Sequence, residues 1–290
     1  MFEQLGIIGC GLMGGSFALA LKRAGLVKKV VGYSKSPASV EHACLMGIVD
    51  EPAESAMQAV VGSDIVLIAV PVAATETTFK AIQHLVTPDM LIMDVGSTKR
   101  DVIDAGRRAL RERIGSFVPA HPIAGKEVSG IEHADADLYH GKQVILTPIE
   151  RTLAPQLQKA TDVWTALGCR VIRMSPESHD AAFAAVSHLP HLISFAFMNA
   201  IAGQLQGKDY LGLAGPGFRD FSRIAAGDAK MWRDVMLSNH EELLAQVKIF
   251  QRSLQAFELV IASGNSEALE GMIEQASRAR SQWRMAQQQK

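Results

Sequence analysis

Gly9-Cys10-Gly11-Leu12-Met13-Gly14 lies near the start of the 290-residue chain, between an apolar run at residues 5–8 and an apolar stretch at 16–24. Glycines spaced in this way between a strand and a helix are typical of dinucleotide-binding folds. The first glycine permits a tight turn, the second lets the backbone approach a pyrophosphate, and the third allows close packing. The stretch therefore predicts a cofactor site formed by the glycines together with Leu12 and Met13.

Composition and charge exclude several classes of protein. The chain is 48% hydrophobic and 20% charged, which suits a folded core, and its 29 Lys and Arg against 30 Asp and Glu leave no basic footprint for nucleic acid. The first residues lack a signal-peptide pattern, and no apolar run approaches the ~20 residues of a membrane helix. Three scattered cysteines lack metal spacing, so we expect a cytoplasmic protein without a metal and without contact to a membrane.

Short apolar runs alternate with helical stretches in the first half of the chain. After residues 5–8 the runs fall at 29–33, 64–70, 90–94, 116–119, 143–147 and 169–174. Buried strands separated by helices predict an α/β fold with a mostly parallel, doubly wound sheet. We therefore assign residues 1–174 to a Rossmann-like NAD(P)-binding domain, with its ligands beyond the carboxyl ends of the strands.

Helical patterns replace strands from residue 175 onward. Long helices are expected at residues 179–203 (entered or interrupted around Pro190), 234–263, and 266–283 with Ser266 as N-cap. Residues 212–217 are a breaker cluster, and residues 287–290 are expected to fray. We assign residues 175–290 to an all-helical domain that binds substrate. Because this half is so apolar, we expect it to pair with a second copy as a homodimer.

The residues after the second strand bear on the choice of cofactor. NAD-selective versions of the fold carry an acidic residue there, whereas this chain has Ser34, Lys35 and Ser36. Hydroxyl groups and a lysine suit a 2′-phosphate, so the sequence leans to NADP. If these are ordinary loop residues, NAD remains the alternative. Val70 and Pro71, at the end of a later strand, are also expected to contact the cofactor.

Four polar clusters carry the candidate chemistry. Ser97, in the stretch 94–99, either faces the nicotinamide or caps the next helix. His121, in His121-Pro122-Ile123-Ala124-Gly125, follows a strand and suits proton transfer. The other two clusters are His179 with Ser187-His188-Leu189-Pro190-His191, and the stretch 217–223 with Trp232.

The histidine cluster lacks the glutamate and third ligand of a zincin, so a metal site is not expected. His188 is a candidate for the core and His191 for a substrate contact. Arg219 and Arg223 suit a carboxylate clamp, although Arg219 is equally well explained by an ion pair with Asp220 or Asp228.

Together these motifs resemble the prephenate/arogenate dehydrogenase family of tyrosine biosynthesis over nearly the whole chain. The resemblance implies a Rossmann domain, a helical dimerisation domain, and NAD(P)-dependent oxidative decarboxylation of prephenate to 4-hydroxyphenylpyruvate. It makes His121 the hydrogen-bond acceptor for the ring hydroxyl and Ser97 the residue that orients both that histidine and the hydroxyl. It implies that the substrate is bound by the remaining polar residues, namely His191, Arg223, Ser187, His188, His179, Arg219 and Trp232.

Two departures from the family pattern affect these expectations. The missing acidic residue leaves NAD or NADP open, and Pro216 replaces a glycine expected beside the substrate, so we expect a different pocket mouth. The length leaves no room for a chorismate mutase or regulatory domain, so any feedback by tyrosine is expected at the active site.

Other interpretations remain open at this point. Arogenate, or both acids, can replace prephenate as substrate. A β-hydroxyacid dehydrogenase or imine reductase would share the two-domain plan but typically uses a helical lysine. A non-enzymatic NADP-binding sensor or scaffold would keep the glycine turn without needing His121, Ser97 and Arg223 together.

Overall fold

A six-stranded parallel sheet, in the order β3-β2-β1-β4-β5-β6, organises the N-terminal part of the chain in the computed structural model, which describes residues 1–283. Its strands are β1 Phe2–Ile8, β2 Val27–Tyr33, β3 Glu51–Pro52, β4 Ile65–Ile68, β5 Leu91–Asp94 and β6 Phe117–Val118. All adjacent strands pair in parallel. The Rossmann-like fold expected from the alternating runs is therefore confirmed.

Helices cover both faces of this sheet. They are α1 Leu12–Arg23, α2 Pro37–Leu45, α3 Ala56–Val60, α4 Thr75–Ile82, α5 Arg100–Leu110 and α6 Ala154–Ala166. Phe17 and Trp164 belong to one buried apolar cluster, whereas Phe79 and Phe117 belong to a second. Burial of the sheet between two apolar layers explains why its strands are continuous apolar runs.

Four strands end at a common edge, which positions the site. Ile8 at the end of β1 is in register with Tyr33 of β2 and Ile68 of β4, and Ile68 is in register with Asp94 of β5. The segments that follow these strands therefore meet above one end of the sheet, where ligands of this fold bind.

The last strands form a second sheet rather than extending the first. β7 Ala120–Pro122 pairs antiparallel with β8 Gln143–Leu146, which pairs in parallel with β9 Arg170–Arg173. Only Pro119 separates β6 from β7, and its carbonyl accepts the Thr147 amide at 3.0 Å. Since proline has no N–H to donate, the chain changes partners there. His121 consequently lies within a strand, not just past one as expected.

The C-terminal part of the described chain is helical, as expected. Its helices are α7 Pro176–Phe183, α8 Leu189–Ala202, α9 Gly207–Gly212, α10 Pro216–Ser222, α11 Ala229–Ser238, α12 His240–Ala262 and α13 Ser266–Gln282. A π-helical segment, Ala184–His188, joins α7 to α8 just before Pro190, where an interruption was expected. The breaker cluster separates α9 from α10.

Two helix boundaries differ from expectation. The single helix expected at 234–263 is two helices, because Asn239 leaves helical geometry to hydrogen-bond buried groups of α7 and the π segment. The N-cap of α13 is Asn265, whose side chain accepts the Ala268 amide at 3.0 Å, rather than Ser266. The end expected to fray, 287–290, lies outside the described residues.

The helical segment Pro176–Ala202 is more apolar than expected from the sequence. Its most apolar 18 residues have a mean hydropathy of 1.4, long and apolar enough by composition alone to cross a membrane, and 17% of them are buried. The expectation that no apolar run approaches this length is therefore too strict for this part of the chain. The same segment carries His179, His188 and His191.

Candidate functional site

The turn after β1 has the geometry of a pyrophosphate cradle. Gly9 adopts a φ of +108°, and a side chain there would collide with the Ala69 carbonyl. A Cβ on Gly14 would collide with the Gly9 carbonyl, whereas one on Gly11 would meet nothing within 4 Å. Gly11 therefore borders open space at the start of α1, where neither an acidic residue nor a side-chain cap occupies the free N–H groups. These features fit a dinucleotide phosphate.

The segments that follow β2 and β4 lie beside the glycine turn and complete the nucleotide edge, the edge of the sheet where the dinucleotide is expected to bind. The Gly9 amide donates to the Tyr33 carbonyl at 2.7 Å, which places Ser34, Lys35 and Ser36 directly beside the glycine turn. Lys35 is exposed, and among residues 1–283 no side chain pairs with its ammonium group. On the other side, the Ala69 amide donates to the Ile8 carbonyl at 2.7 Å, so Val70 and Pro71 follow β4 at the same edge.

A buried ion pair fixes the strand that carries His121. Lys99 and the carboxylate of Asp94 are in contact, with 0% and 3% of their side chains exposed. Asp94 Oδ1 accepts the Ala120 amide at 3.0 Å, and Lys99 Nζ donates to the Ala120 carbonyl at 2.8 Å. Both backbone polar groups of Ala120, the residue before His121, are thus held by side chains that follow β5.

His121 is the first member of a buried hydrogen-bonded chain. Its Nδ1 lies 2.8 Å from Nε2 of His179, and Nδ1 of His179 lies 2.8 Å from Oδ1 of Asp180. Asp180 also accepts the backbone amides of Lys99 at 2.8 Å and Arg100 at 2.9 Å. These hydrogen-bonded side chains therefore connect β7 with α7 and with the start of α5. They leave Nε2 as the ring nitrogen of His121 available to a ligand.

Burial keeps these histidines neutral near pH 7. It lowers the pKa of His121 well below its ordinary value, helped by His179, Lys99 and His188. Burial also lowers the pKa of His179, against the opposing effect of the hydrogen bond that His179 donates to Asp180. For Asp180, burial alone would raise the pKa, but hydrogen bonds from His179 and the two backbone amides outweigh it and hold the pKa low. A neutral imidazole at His121 can accept a proton.

His188 and His179 are both fully buried, as the core alternative predicted for His188. His188 is fully buried, its Nδ1 lies 3.2 Å from Asn239 Nδ2, and burial lowers its pKa to about 4. Both ring nitrogens of His179 face protein groups. Both side chains are therefore enclosed by protein groups in this structure, and their contact with substrate stays a prediction.

Ser97 does not cap the helix that follows it, which was one of its two expected roles. It lies half-buried in the loop between β5 and α5, and α5 begins at Arg100 with Lys99 as its N-cap, without a side-chain capping bond. The partner that orients Nδ1 of His121 is His179, not Ser97. The Ser97 hydroxyl therefore remains a candidate for contact with a bound ligand.

His191 and Trp232 form a stacked aromatic pair. Their rings stack with centroids 3.6 Å apart and planes inclined by 25°. Nδ1 of His191 lies 2.9 Å from the Ser187 carbonyl, so Nδ1 carries the hydrogen and Nε2 is left to face a ligand. Ser187 thus contributes its backbone here, and burial lowers the pKa of His191.

The two arginines differ in their partners. Arg219 is exposed and pairs with its neighbour Asp220 at 3.2 Å, which is the ion-pair alternative given for it above. Arg223 contacts the carboxylate of Glu127, in the loop that follows His121 and Pro122. Arg223 therefore reaches from the helical part of the chain to the segment beside His121, whereas Arg219 does not.

Several residues of the site were missed in the sequence. Asp180 and Asn239 carry buried hydrogen bonds, Lys99 holds Ala120, and Glu127 pairs with Arg223. The adjacent His179-Asp180 pair was the only local signal, because a carboxylate next to a histidine is a common orienting partner. Among residues 1–283, no group of three or more His, Cys, Asp or Glu is arranged to hold a metal ion.

Comparison with known proteins gives a family for this arrangement. Residues 17–173 match the family model of the prephenate dehydrogenase nucleotide-binding domain, and residues 175–275 match that of the prephenate dehydrogenase dimerization domain. A cyclohexadienyl dehydrogenase from Zymomonas mobilis is 33% identical over 282 residues, 97% of this chain and 96% of that protein.

Solved structures agree with this assignment. Prephenate dehydrogenase from A. aeolicus, in complex with hydroxyphenyl propionate and NAD+, has a TM-score of 0.90 and 36% identity, covering 97% of this chain and 98% of that one. Synechocystis arogenate dehydrogenase has a TM-score of 0.80 and 27% identity, covering 96% and 99%. The glycine cradle, the buried histidine chain and these matches over both parts of the molecule place the chain in the prephenate dehydrogenase family.

Proposed function

We propose that the protein catalyses the NAD(P)-dependent oxidative decarboxylation of prephenate to 4-hydroxyphenylpyruvate. The observation that carries the proposal is the neutral, buried His121, which presents Nε2 beside the edge of the sheet that holds the glycine cradle. The similar A. aeolicus enzyme is in complex with NAD+ and hydroxyphenyl propionate, which supports a nicotinamide cofactor and a hydroxyphenyl-like ligand. The chemistry requires a cofactor, a proton acceptor and a carboxylate clamp, and each has a candidate in this chain.

The reaction moves a hydride, a proton and a carboxylate. The ring carbon that bears the hydroxyl loses a hydride, for which the bound nicotinamide is the acceptor. His121 Nε2 takes the hydroxyl proton as the carbon–oxygen double bond forms. The ring carboxylate then leaves as CO₂, and the proton returns to the phenolic oxygen as the ring becomes aromatic. General base help of this kind contributes roughly 10²–10⁴-fold to the rate.

The surrounding residues would position the substrate. His191 and Trp232 offer an aromatic wall with a free ring nitrogen, and the Ser97 hydroxyl is a polar contact near the reacting centre. Arg223 would bind a substrate carboxylate. Because its guanidinium contacts Glu127, substrate must share Arg223 with that carboxylate or displace it.

Replacing Arg223 with Ala is expected to raise KM for prephenate with a much smaller change in kcat. The loss of a charge-assisted hydrogen bond costs about 1.5–3 kcal/mol, which corresponds to roughly a 10- to 150-fold rise in KM. Arg151→Ala, at an exposed arginine paired with Glu112, is the matched control. An unchanged KM would show that another residue binds the substrate carboxylate, and Arg219 would be the next candidate.

A matrix of two substrates and two cofactors tests the proposed function. We expect absorbance of the reduced nicotinamide to rise with prephenate, and the CO₂ released to match it in amount. Turnover of arogenate as well would identify a dual-specificity cyclohexadienyl dehydrogenase, the second candidate favoured by the Zymomonas mobilis relative. No turnover of either acid with either cofactor would refute the proposal and favour a non-enzymatic NADP-binding sensor.

We propose NADP as the preferred cofactor because exposed Lys35 lies beside the nucleotide edge without a described partner. Replacing Lys35 with Glu is expected to lower kcat/KM for NADP by roughly 10- to 150-fold, the scale of a charge-assisted contact, and to leave NAD use largely intact. Lys28→Glu, at the opposite end of β2, controls for the charge change. A wild-type preference for NAD, or equal losses with both cofactors, would reject this assignment.

We propose a homodimer formed by the helical part of the chain. The chain exposes 15641 Å², whereas a compact monomer of 31.3 kDa exposes about 12,000 Å². Many exposed large apolar side chains lie in the helical part of the chain, including Val186, Leu205, Leu213, Leu244, Leu254, Leu259 and Ile261. An excess of a few thousand Å² is on the scale of an obligate dimer interface.

Leu254→Glu is expected to convert the dimer into a monomer at micromolar concentration, because it places a charge on an exposed apolar face of α12. Sedimentation of the wild type and the variant measures this. Met57→Glu introduces the same charge at an exposed methionine of α3 and should leave the dimer intact. A monomeric wild type would reject the proposed assembly.

We also propose the domain division at residue 174/175 and a cytoplasmic location. The two family matches, which end at residue 173 and resume at 175, support the division. Three free cysteines, Cys10, Cys44 and Cys169, suit a compartment in which thiols stay reduced.

A further inference from the structure

Asp180 and His179 link the reacting histidine to a fixed negative charge. His121, His179 and Asp180 are 9%, 0% and 1% exposed, and the two bonds between them are both 2.8 Å long. The three side chains therefore form a connected chain shielded from water. In such a chain, each hydrogen bond determines which nitrogen of the next ring carries a proton.

The proton positions follow from the carboxylate. Oδ1 of Asp180 accepts the Lys99 amide, and Oδ2 accepts the Arg100 amide while lying 3.4 Å from Nε of Arg100. An ionised carboxylate has no proton to donate, so Nδ1 of His179 must donate to it. Since His179 is neutral, its Nε2 accepts, and Nδ1 of His121 must therefore be the donor. Nε2 of His121 is then left with its lone pair.

The opposite arrangement would be unreactive. If His179 carried its proton on Nε2, it would donate to Nδ1 of His121, and the His121 proton would lie on Nε2. That tautomer can donate a hydrogen bond to a substrate hydroxyl but cannot accept its proton. Only the carboxylate distinguishes the two arrangements, because both leave the two rings hydrogen-bonded to each other.

We propose that Asp180, acting through His179, is a positioning residue that holds His121 in the tautomer whose Nε2 accepts the substrate proton. This inference rests on the proposed function, in which His121 is the proton acceptor. It adds two residues that do not touch substrate. The carboxylate also stabilises the positive charge that His121 gains when it accepts the proton, as the buried acid of a catalytic triad does.

Asp180→Asn tests the carboxylate. The amide can donate to Nδ1 of His179 and so favour the unreactive arrangement. We expect kcat to fall roughly 10²–10⁴-fold, the scale of general base help, while KM for prephenate changes by less than about 3-fold. Asp104→Asn, at an exposed carboxylate paired with Arg107, is the matched control and should retain wild-type kcat.

Two variants of His179 separate proton relay from packing. His179→Gln offers an oxygen to accept from His121 and an amide N–H to donate to Asp180, so it preserves the order of donors. We expect it to retain far more kcat than His179→Leu, which fills similar space without either bond. Equal kcat in the two variants would overturn the proposal.

The tautomer itself can be measured without turnover. In protein with ¹⁵N-labelled histidine, two-bond ¹H–¹⁵N spectra should show the His121 proton on Nδ1, with the signal assigned by its loss in His121→Asn. A proton on Nε2 in the wild type would overturn the proposal even if Asp180→Asn failed to fold. Unchanged kcat in Asp180→Asn alongside an inactive His121→Asn would reject the positioning role but keep the function. An active His121→Asn would reject the function itself.

Discussion

Replacing His121 with Asn is expected to lower kcat for prephenate roughly 10²–10⁴-fold, the scale of general base catalysis. Asparagine has nearly the same reach, but its amide cannot take a proton from the substrate hydroxyl near neutral pH. The hydride must then leave a carbon whose hydroxyl keeps its proton, and more positive charge accumulates in the transition state. Absorbance of reduced nicotinamide under saturating substrate measures kcat directly.

Binding measurements separate chemistry from assembly in this variant. Cofactor affinity, followed by fluorescence of the reduced nicotinamide, should match that of the wild type, because the glycine cradle lies on a different strand. His84→Asn, at an exposed histidine, should leave kcat unchanged. If His121→Asn kept wild-type turnover, His121 would have no role in proton transfer and the proposed mechanism would fail.

Lys99→Met is expected to lower the free energy of unfolding by about 3–5 kcal/mol, the usual cost of removing one member of a buried ion pair. The change leaves the Asp94 carboxylate almost fully buried without its counter-charge. Ala120 also loses the donor to its carbonyl. Urea unfolding should show a lower midpoint with an unchanged m-value, which identifies a loss of stability rather than a change in compactness.

Two further variants test the cause of that loss. Adding Asp94→Asn to Lys99→Met removes the unpaired charge, so the double variant should recover part of the stability. Lys28→Met breaks an exposed pair with Glu3 and should cost less than about 1 kcal/mol. If Lys99→Met cost no more than Lys28→Met, the buried pair would not stabilise the fold.

Local sequence patterns predicted which segments form strands and helices better than they predicted which strands pair with each other. The glycine turn, the apolar strands and the change to helices near residue 175 are all evident from neighbouring residues. That β8 pairs with β7 and β9 depends on long-range pairing, which alternating apolar runs do not reveal. β3 was missed because its two residues, Glu51 and Pro52, are exposed and do not form an apolar run.

Individual residues of the candidate site were named from the sequence, but the hydrogen bonds between them were not predicted. His121 and His179 were both named, yet they are 58 positions apart, and only the packing of α7 against β7 brings them together. Asn239 is polar and lies in a helical pattern, so nothing local indicated that it ends α11 and bonds to Asp180. Glu127 became evident only as the partner of Arg223.

The π-helical segment Ala184–His188 sets the angular phase between two groups of residues. In an α-helix each residue advances about 100° around the axis. The wide turn takes up one residue more than an α-helical turn does, so the residues after it lie about 100° away from where an unbroken α-helix would place them. His179 and Asp180 precede the wide turn, whereas His191 follows it. If the same residues adopted ordinary α-helical geometry there, the proton-relay residues and the aromatic wall would point in different directions, even though every side chain of the site was retained.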